Sequence, residues 1–348
     1  MNRLITLSRT LPVPDPALTV AYAPIRLQMP GRQPLELRLT APATGDALPI
    51  VILSHGFGPS NYLPSKDGYA PLAQFWAERG IAVIQPTHAS SRVGGLDPDL
   101  PGGPFFWRER VAEMRAILDQ LNEIERQAPA VAGRLDHTRI AVAGHSFGGH
   151  TCSLLLGGRL DGEDFSAPRI RAGILLAAPG RGGADLTPEN AARFPFFEVD
   201  FSGITVPTLV VCGAEDDPHF TPRGPDWHAD AFHDAPGADA LLTINGVGHG
   251  LGGIAGLDAK ETEVEDPDAL EATRRLTLAW LRSVFAIDPD AWSLSTTALR
   301  DSAATIAAIT VREPGRGAVV DKNDACFSAD VPVGDVVIDG AANAPLRP

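Results

Sequence analysis

Gly144-His145-Ser146-Phe147-Gly148-Gly149 is the stretch on which the reading of this chain turns. It follows the apolar run 140–143 and opens a helix-compatible apolar segment, 147–156. A serine with glycine two positions to either side, G-x-S-x-G, suits a sharp turn between a buried strand and a helix. Such a turn lifts the hydroxyl clear, the glycines let strand and helix approach, and the helix N-terminus favours negative charge developing there. An incidental serine in a glycine-rich turn would satisfy the bare spacing. The strand before it and the helix after it favour a nucleophile, Ser146.

Outward from this motif, the chain alternates between two patterns. Short continuous apolar runs at 50–53, 81–84, 140–143, 172–178, 208–212 and 240–244 suit strands buried on both faces, as in parallel sheets. Helical spacing lies between most of them. Residues 69–79 carry Leu72, Phe75 and Trp76 and stop at Gly80, while 106–127 carry Val111, Met114, Leu118, Leu121 and Ile124 as one amphipathic helix. Residues 268–285 repeat the pattern with Leu270, Leu276, Trp280 and Val284. The alternation predicts an α/β fold with a mostly parallel central sheet and helices on both faces. Residues 19–28 and 35–40, split by Pro30-Gly31, predict an antiparallel N-terminal edge. Two long loops, 85–104 and 179–206, suggest function, the second with a short helix starting at Thr187-Pro188. Residues 1–313 read as one catalytic domain, and 314–348, where the apolar pattern weakens, as a tail or appendage.

Composition narrows the function. Of 348 residues, 44% are hydrophobic and 21% charged, enough for a large core. The net charge of −14 repels phosphate backbones and anionic lipid, so nucleic acid is not an expected partner and the acidity reads as solubility. Three widely spaced cysteines, Cys152, Cys212 and Cys326, form neither a disulfide framework nor a zinc ribbon, and the first two lie in apolar stretches. No segment approaches the roughly 20 apolar residues of a membrane span, and residues 1–16 lack the apolar core of a signal peptide. Cytoplasmic residence is the expectation; the oligomeric state is not legible.

A serine hydroxyl needs a base held by a third group, and after a strand–turn–helix nucleophile the acid and then the base follow along the chain. Five histidines lie downstream: His150, His219, His228, His233 and His249. His249, in Gly246-Val247-Gly248-His249-Gly250 just after an apolar run, is placed to overhang the sheet's carboxyl edge. His150 is on the nucleophile's own helix, and His228 and His233 sit in a Trp/Phe-rich segment as wall or packing residues. The acid should follow 208–212, where Glu215, Asp216 and Asp217 stand side by side. For the oxyanion, Phe147 N–H supplies one donor and the loop Ser54-His55-Gly56-Phe57-Gly58 the other, through Phe57 N–H. His55 reads as a structural hydrogen-bonding residue. His88, Trp107 and Trp227 are placed at the substrate pocket.

Together, these segments resemble the α/β-hydrolase superfamily. Within it they are similar to bacterial dienelactone-hydrolase-like esterases related to intracellular-type platelet-activating-factor acetylhydrolases. The resemblance rests on residues 53–58, Tyr69-Ala-Pro-Leu-Ala73, Gln85-Pro-Thr-His88, 142–151, 207–216 and 248–253. It implies an α/β-hydrolase fold, a serine carboxylesterase acting on short-chain or compact esters, and Asp216 as the acid. Dienelactone hydrolases proper use cysteine where this chain has Ser146, and nothing after 313 inherits from the group. An amidase or thioesterase with the same triad, or a non-catalytic ligand-binding protein of this fold, are the alternatives. Gly248-x-Gly250-x-x-Gly253 matches a dinucleotide fingerprint without its strand–helix context. Asp216, His219, His228 and His233 lack a zinc spacing, so no metal or cofactor is expected.

Overall fold

Each continuous apolar run feeds two cores at once. Ile50 and Ile52 enter one while Val51 and Leu53 enter the other, and Ala82 and Ile84 separate in the same way from Ile81 and Val83. Side chains alternate across a strand, so a strand covered on both faces has no polar position to spare.

The structure is a computed structural model; it describes residues 4–312 except 59, 258, 260, 261 and 263. β1 (Thr19–Leu27) and β2 (Leu35–Pro42) form the expected antiparallel edge, with a register shift between Tyr22 and Ile25. β3 (Leu48–Ser54), α1 (Ala70–Ala77), β4 (Ala82–Pro86), α2 (Trp107–Asp119), α3 (Leu121–Gln127), β5 (Leu135–His145) and α4 (Phe147–Leu156) follow. Then come β6 (Arg159–Leu160), β7 (Glu163–Asp164), β8 (Ile170–Leu176), α5 (Pro188–Arg193), β9 (Val199–Asp200) and β10 (Thr208–Gly213). α6 (Asp230–Asp234), β11 (Ala238–Ile244), α7 (Pro267–Val284), α8 (Ala291–Ser302) and β12 (Ala307–Val311) complete the described chain.

The central sheet runs β1-β2-β4-β3-β5-β8-β10-β11-β12. It is parallel from β4 through β11 and antiparallel at both edges. One face is covered by α2, α3, α4 and α6, the other by α1, α7 and α8. β7-β6-β9 make a separate small sheet.

The structure departs from the sequence reading in several places, the small sheet β7-β6-β9 and helix α6 among them. The helix expected over 106–127 breaks at Gln120 (φ −109°, ψ 24°) into α2 and α3. The second piece turns to meet the edge strand, where the Gln127 amide pairs with both backbone groups of Arg26, at 3.0 and 2.9 Å. α8 and β12 were not expected: serine and threonine at 293, 295, 296 and 297 dilute the helical stripe, and β12 is a short strand on an antiparallel edge. The loop 179–206 does hold the short helix α5, its N-cap Thr187 accepting from Asn190 N–H. Cys152 and Cys212 are buried as expected. The tail assigned to 314–348, with Cys326, lies outside the described residues.

Candidate active site

Ser146 sits between β5 and α4 at φ 54°, ψ −124°. A positive φ costs a side-chain-bearing residue on the order of 1–3 kcal/mol and persists only where the surroundings impose it. Here they do: Ser146 N–H donates to Leu176 O at 2.9 Å, and its carbonyl accepts from Gly149 N–H at 2.7 Å. A Cβ on Gly144 would stand 2.1 Å from Gly148 O, and one on Gly148 would stand 2.1 Å from Ser54 O. Strand, helix and the end of β3 thus meet at backbone contact, which only glycine permits.

The loops after β10 and β11 bring Asp216 and His249 together. Asp216 Oδ2 accepts from His249 Nδ1 at 2.9 Å. Glu215 and Asp217 are exposed, whereas Asp216 is buried. Burial alone would raise the Asp216 carboxyl, but the adjacent His228 ring and the hydrogen bond from His249 outweigh it and hold the group well below the usual carboxylate range.

His228, read from sequence as a wall residue, is a second histidine on the same oxygen. Its Nδ1 donates to the Ala178 carbonyl at 2.7 Å, and its Nε2 lies 3.1 Å from Asp216 Oδ2. The carbonyl can only accept, so Nδ1 carries a proton, and the contact with Asp216 is attractive when Nε2 carries one too. Ligating atoms of Asp216, His228 and His249 all lie within 4.8 Å of one another, a grouping that could also hold a metal ion. No sequence spacing announces this pairing. A 3₁₀ turn over Gly224–Ala229 delivers His228.

A buried relay joins three site segments. His145 Nε2–H donates to the His249 carbonyl at 2.8 Å, which leaves Nδ1 to accept from the Tyr69 hydroxyl at 2.7 Å. Tyr69 in turn accepts from Gly56 N–H at 3.0 Å. Burial, with His249 close by, pushes His145 down to about 3, so the ring is neutral and this tautomer is consistent. Neither residue was singled out, although His145 occupies the x of G-x-S and Tyr69 opens a segment the resemblance used.

The loop after β3 crosses Ser146 closely: a Cβ on Gly56 would be 3.4 Å from Ser146 Cβ. Among the described residues, neither Phe57 N–H nor Phe147 N–H donates to a protein acceptor. Arg110, fully buried, holds the loop from beneath, donating to the His55 carbonyl, to Ser54 Oγ at 3.1 Å and to Thr151 Oγ1 at 3.1 Å. Thr151 Oγ1 donates to Phe147 O at 3.1 Å, and the guanidinium lies 4.9 Å from the Phe147 ring. Burial lowers Arg110 to about 10, so it stays cationic at neutral pH. His55 is structural as expected: Nδ1 donates to Gly56 O at 2.7 Å and Nε2 accepts from His88 N–H at 3.0 Å.

His88 does not line a pocket. It is fully buried between Ser54 Oγ at 2.9 Å and Glu113 at 2.6 Å, and burial pushes its pKa well down. It follows β4 directly and so enters the core behind the loop. Trp227 is buried, its indole N–H donating to Arg181 O at 2.7 Å. Trp107 packs at 5.3 Å on Phe165 and at 6.4 Å on His150. His150 donates from Nε2 to Phe196 O at 2.7 Å, so it is engaged away from Asp216. His219 is exposed and His233 packs on Phe232.

A backbone-strained serine after a parallel strand, with a carboxylate and a histidine on later loops, is the layout of one large group of enzymes, and the sequence agrees. Residues 50–232, more than half of the chain, match the profile described as the Alpha/beta hydrolase family. The chain belongs to the alpha/beta hydrolase family. The family points to hydrolase chemistry, and the match runs from β3 through Ser146 and Asp216 to α6. No curated protein matches the chain. Among the described residues, no helix of this hydrolase is long and apolar enough to cross a membrane.

Proposed function

We propose that this hydrolase is a serine carboxylesterase acting through an acyl-enzyme, with Ser146 as nucleophile, His249 as base, Asp216 as the orienting acid, and Phe57 and Phe147 N–H as oxyanion donors. The observation that carries the reading is the 2.9 Å Asp216–His249 bond, made by two loops at the carboxyl edge above a serine held at φ 54°.

Ser146 Oγ attacks the ester carbonyl carbon as its proton passes to His249 Nε2. Asp216, ionised, fixes the Nδ1–H tautomer and stabilises the imidazolium. The carbonyl oxygen takes up the negative charge between the Phe57 and Phe147 amides. Collapse of the adduct expels the alcohol, which leaves with the proton from His249. Water then attacks the acyl-serine as His249 again accepts a proton, and collapse of the second adduct breaks the acyl–Oγ bond, His249 returning that proton to Ser146 Oγ as the acid leaves. Buried Arg110 supplies a nearby positive field and fixes the loop that carries Phe57.

The test is turnover of ethyl acetate by the parent, Ser146→Ala and His249→Ala, with circular dichroism as the folding control. Both variants should lose at least about 10³-fold in kcat. A natively folded Ser146→Ala within tenfold of the parent would refute the assignment.

A further inference from the structure

The two long loops picked out in the sequence converge on one place. Loops after β3, β4, β8 and β10 each deliver aromatic residues to the candidate site: Phe57, Phe105, Phe194, and Phe220 with Trp227. Ring centroids run Phe57–Phe105 5.0 Å, Phe105–Phe194 5.4 Å, Phe194–Phe220 5.2 Å and Phe220–Trp227 6.1 Å. The series continues to His228 at 5.2 Å and from there to His249 at 5.7 Å. Phe147 packs against its start, 6.3 Å from Phe57 and 5.8 Å from Phe105. An unbroken arc of rings therefore leads from the proposed oxyanion donor to the proposed base.

Phe147, Phe194 and Trp227 are buried in a local apolar cluster with Leu186 and Phe197 that backs the arc, while its rim stays open. Phe57 remains 41% exposed and Phe220 36%, and among the described residues these are the only exposed phenylalanines. Both belong to the arc. The arc's own members from Phe57 to Trp227 are uncharged, with the Arg193 guanidinium 5.1 Å from the Phe194 ring, and the chain's net charge of −14 disfavours anions. Aromatic rings favour another ring, edge-to-face or offset, beyond what buried area alone gives.

We propose that this arc binds the aromatic ring of a neutral aryl or arylalkyl ester while its carbonyl meets Ser146. The inference rests on the serine-esterase reading above and names its substrate class.

The experiment is pH-stat hydrolysis by the full-length enzyme of two matched pairs, with ethyl acetate as a ringless reference. Ethyl phenylacetate against ethyl cyclohexylacetate puts the ring on the acyl side; benzyl acetate against cyclohexylmethyl acetate puts it on the alcohol side. In at least one pair the aryl member should lead by about tenfold in kcat/KM, the scale of one or two ring contacts. Phe220→Leu, which keeps an apolar side chain at an exposed position, should cut that ratio at least about threefold. Ratios within twofold in both pairs, with ethyl acetate turned over, would overturn the proposal and leave the esterase standing. A preference untouched by both Phe220→Leu and Phe57→Leu would also overturn it. No turnover of any ester by natively folded protein would instead overturn the esterase reading, and this one with it.

Discussion

Replacing Glu113 by glutamine removes one buried acid from the network behind the Ser54–Phe57 loop and keeps its shape. Glu113 accepts from Ala89 N–H at 3.0 Å and from Arg32 at 2.8 Å, and contacts His88 Nδ1 at 2.6 Å. Burial raises its carboxyl from 4.5 to about 7, against the opposing pull of Arg32 and Arg110. A carboxyl whose folded value is raised binds its proton more tightly in the native state than in the unfolded one. Native stability from this group is therefore intact below 4.5 and is lost as the pH climbs to about 7. At about 1.4 kcal/mol per pH unit the whole loss is on the order of 3 kcal/mol, and 2–3 of that falls between about pH 5 and pH 8. Glutamine does not titrate. Urea unfolding of both proteins, followed by far-ultraviolet circular dichroism at those two pH values, should show the parent losing about 2–3 kcal/mol more than Glu113→Gln. Curves that stay parallel within about 0.5 kcal/mol would mean that Glu113 is ionised throughout, and would refute the argument.

Two further changes probe the site. Asp216→Asn should cost about 10³- to 10⁴-fold in kcat on ethyl acetate by unsettling the His249 tautomer, while Asp217→Asn stays within about threefold. The opposite order of damage would move the acid to Asp217. Arg110→Met should lower kcat about 10²-fold, the scale of losing one oxyanion donor, with KM within about threefold, and Arg110→Lys should recover part of it. A natively folded Arg110→Met within twofold of the parent in kcat would show that the loop holds its place without the guanidinium.

Those parts of the molecule that obey a local rule were legible in the sequence. The continuous apolar runs announced doubly covered strands because both faces demand apolar side chains. G-x-S-x-G announced the strained turn because its glycines occupy positions where a Cβ would meet backbone at 2.1 Å. Asp216 could not be separated from Glu215 and Asp217 by the residues alone, since which of three neighbours turns inward is decided by the loop's path. His228 was passed over for the same reason: its partner is twelve positions away in the same β10–α6 connection, and the path of that connection decides that the two meet. Arg110 was invisible because an arginine on an amphipathic helix reads as surface, and only the packing of α2 against α4 seals it. The weak stripe of α8 hid behind its serines and threonines.

The Gly56–Tyr69–His145–His249 relay has a consequence for how this site can come into being. Its hydrogen bonds close sequence separations of 13, 76 and 104 residues, so they tie the β3–α1 loop, the end of β5 and the loop after β11 to one another across the sheet. Closing such long segments costs entropy that only the finished fold repays, and no single hairpin or helix–strand unit holds more than two of the partners. The site is accordingly complete only once segments far apart in the chain have met. It shares the cooperativity of the whole sheet, so loosening at either end of the relay is felt at the other before any reacting group has been touched.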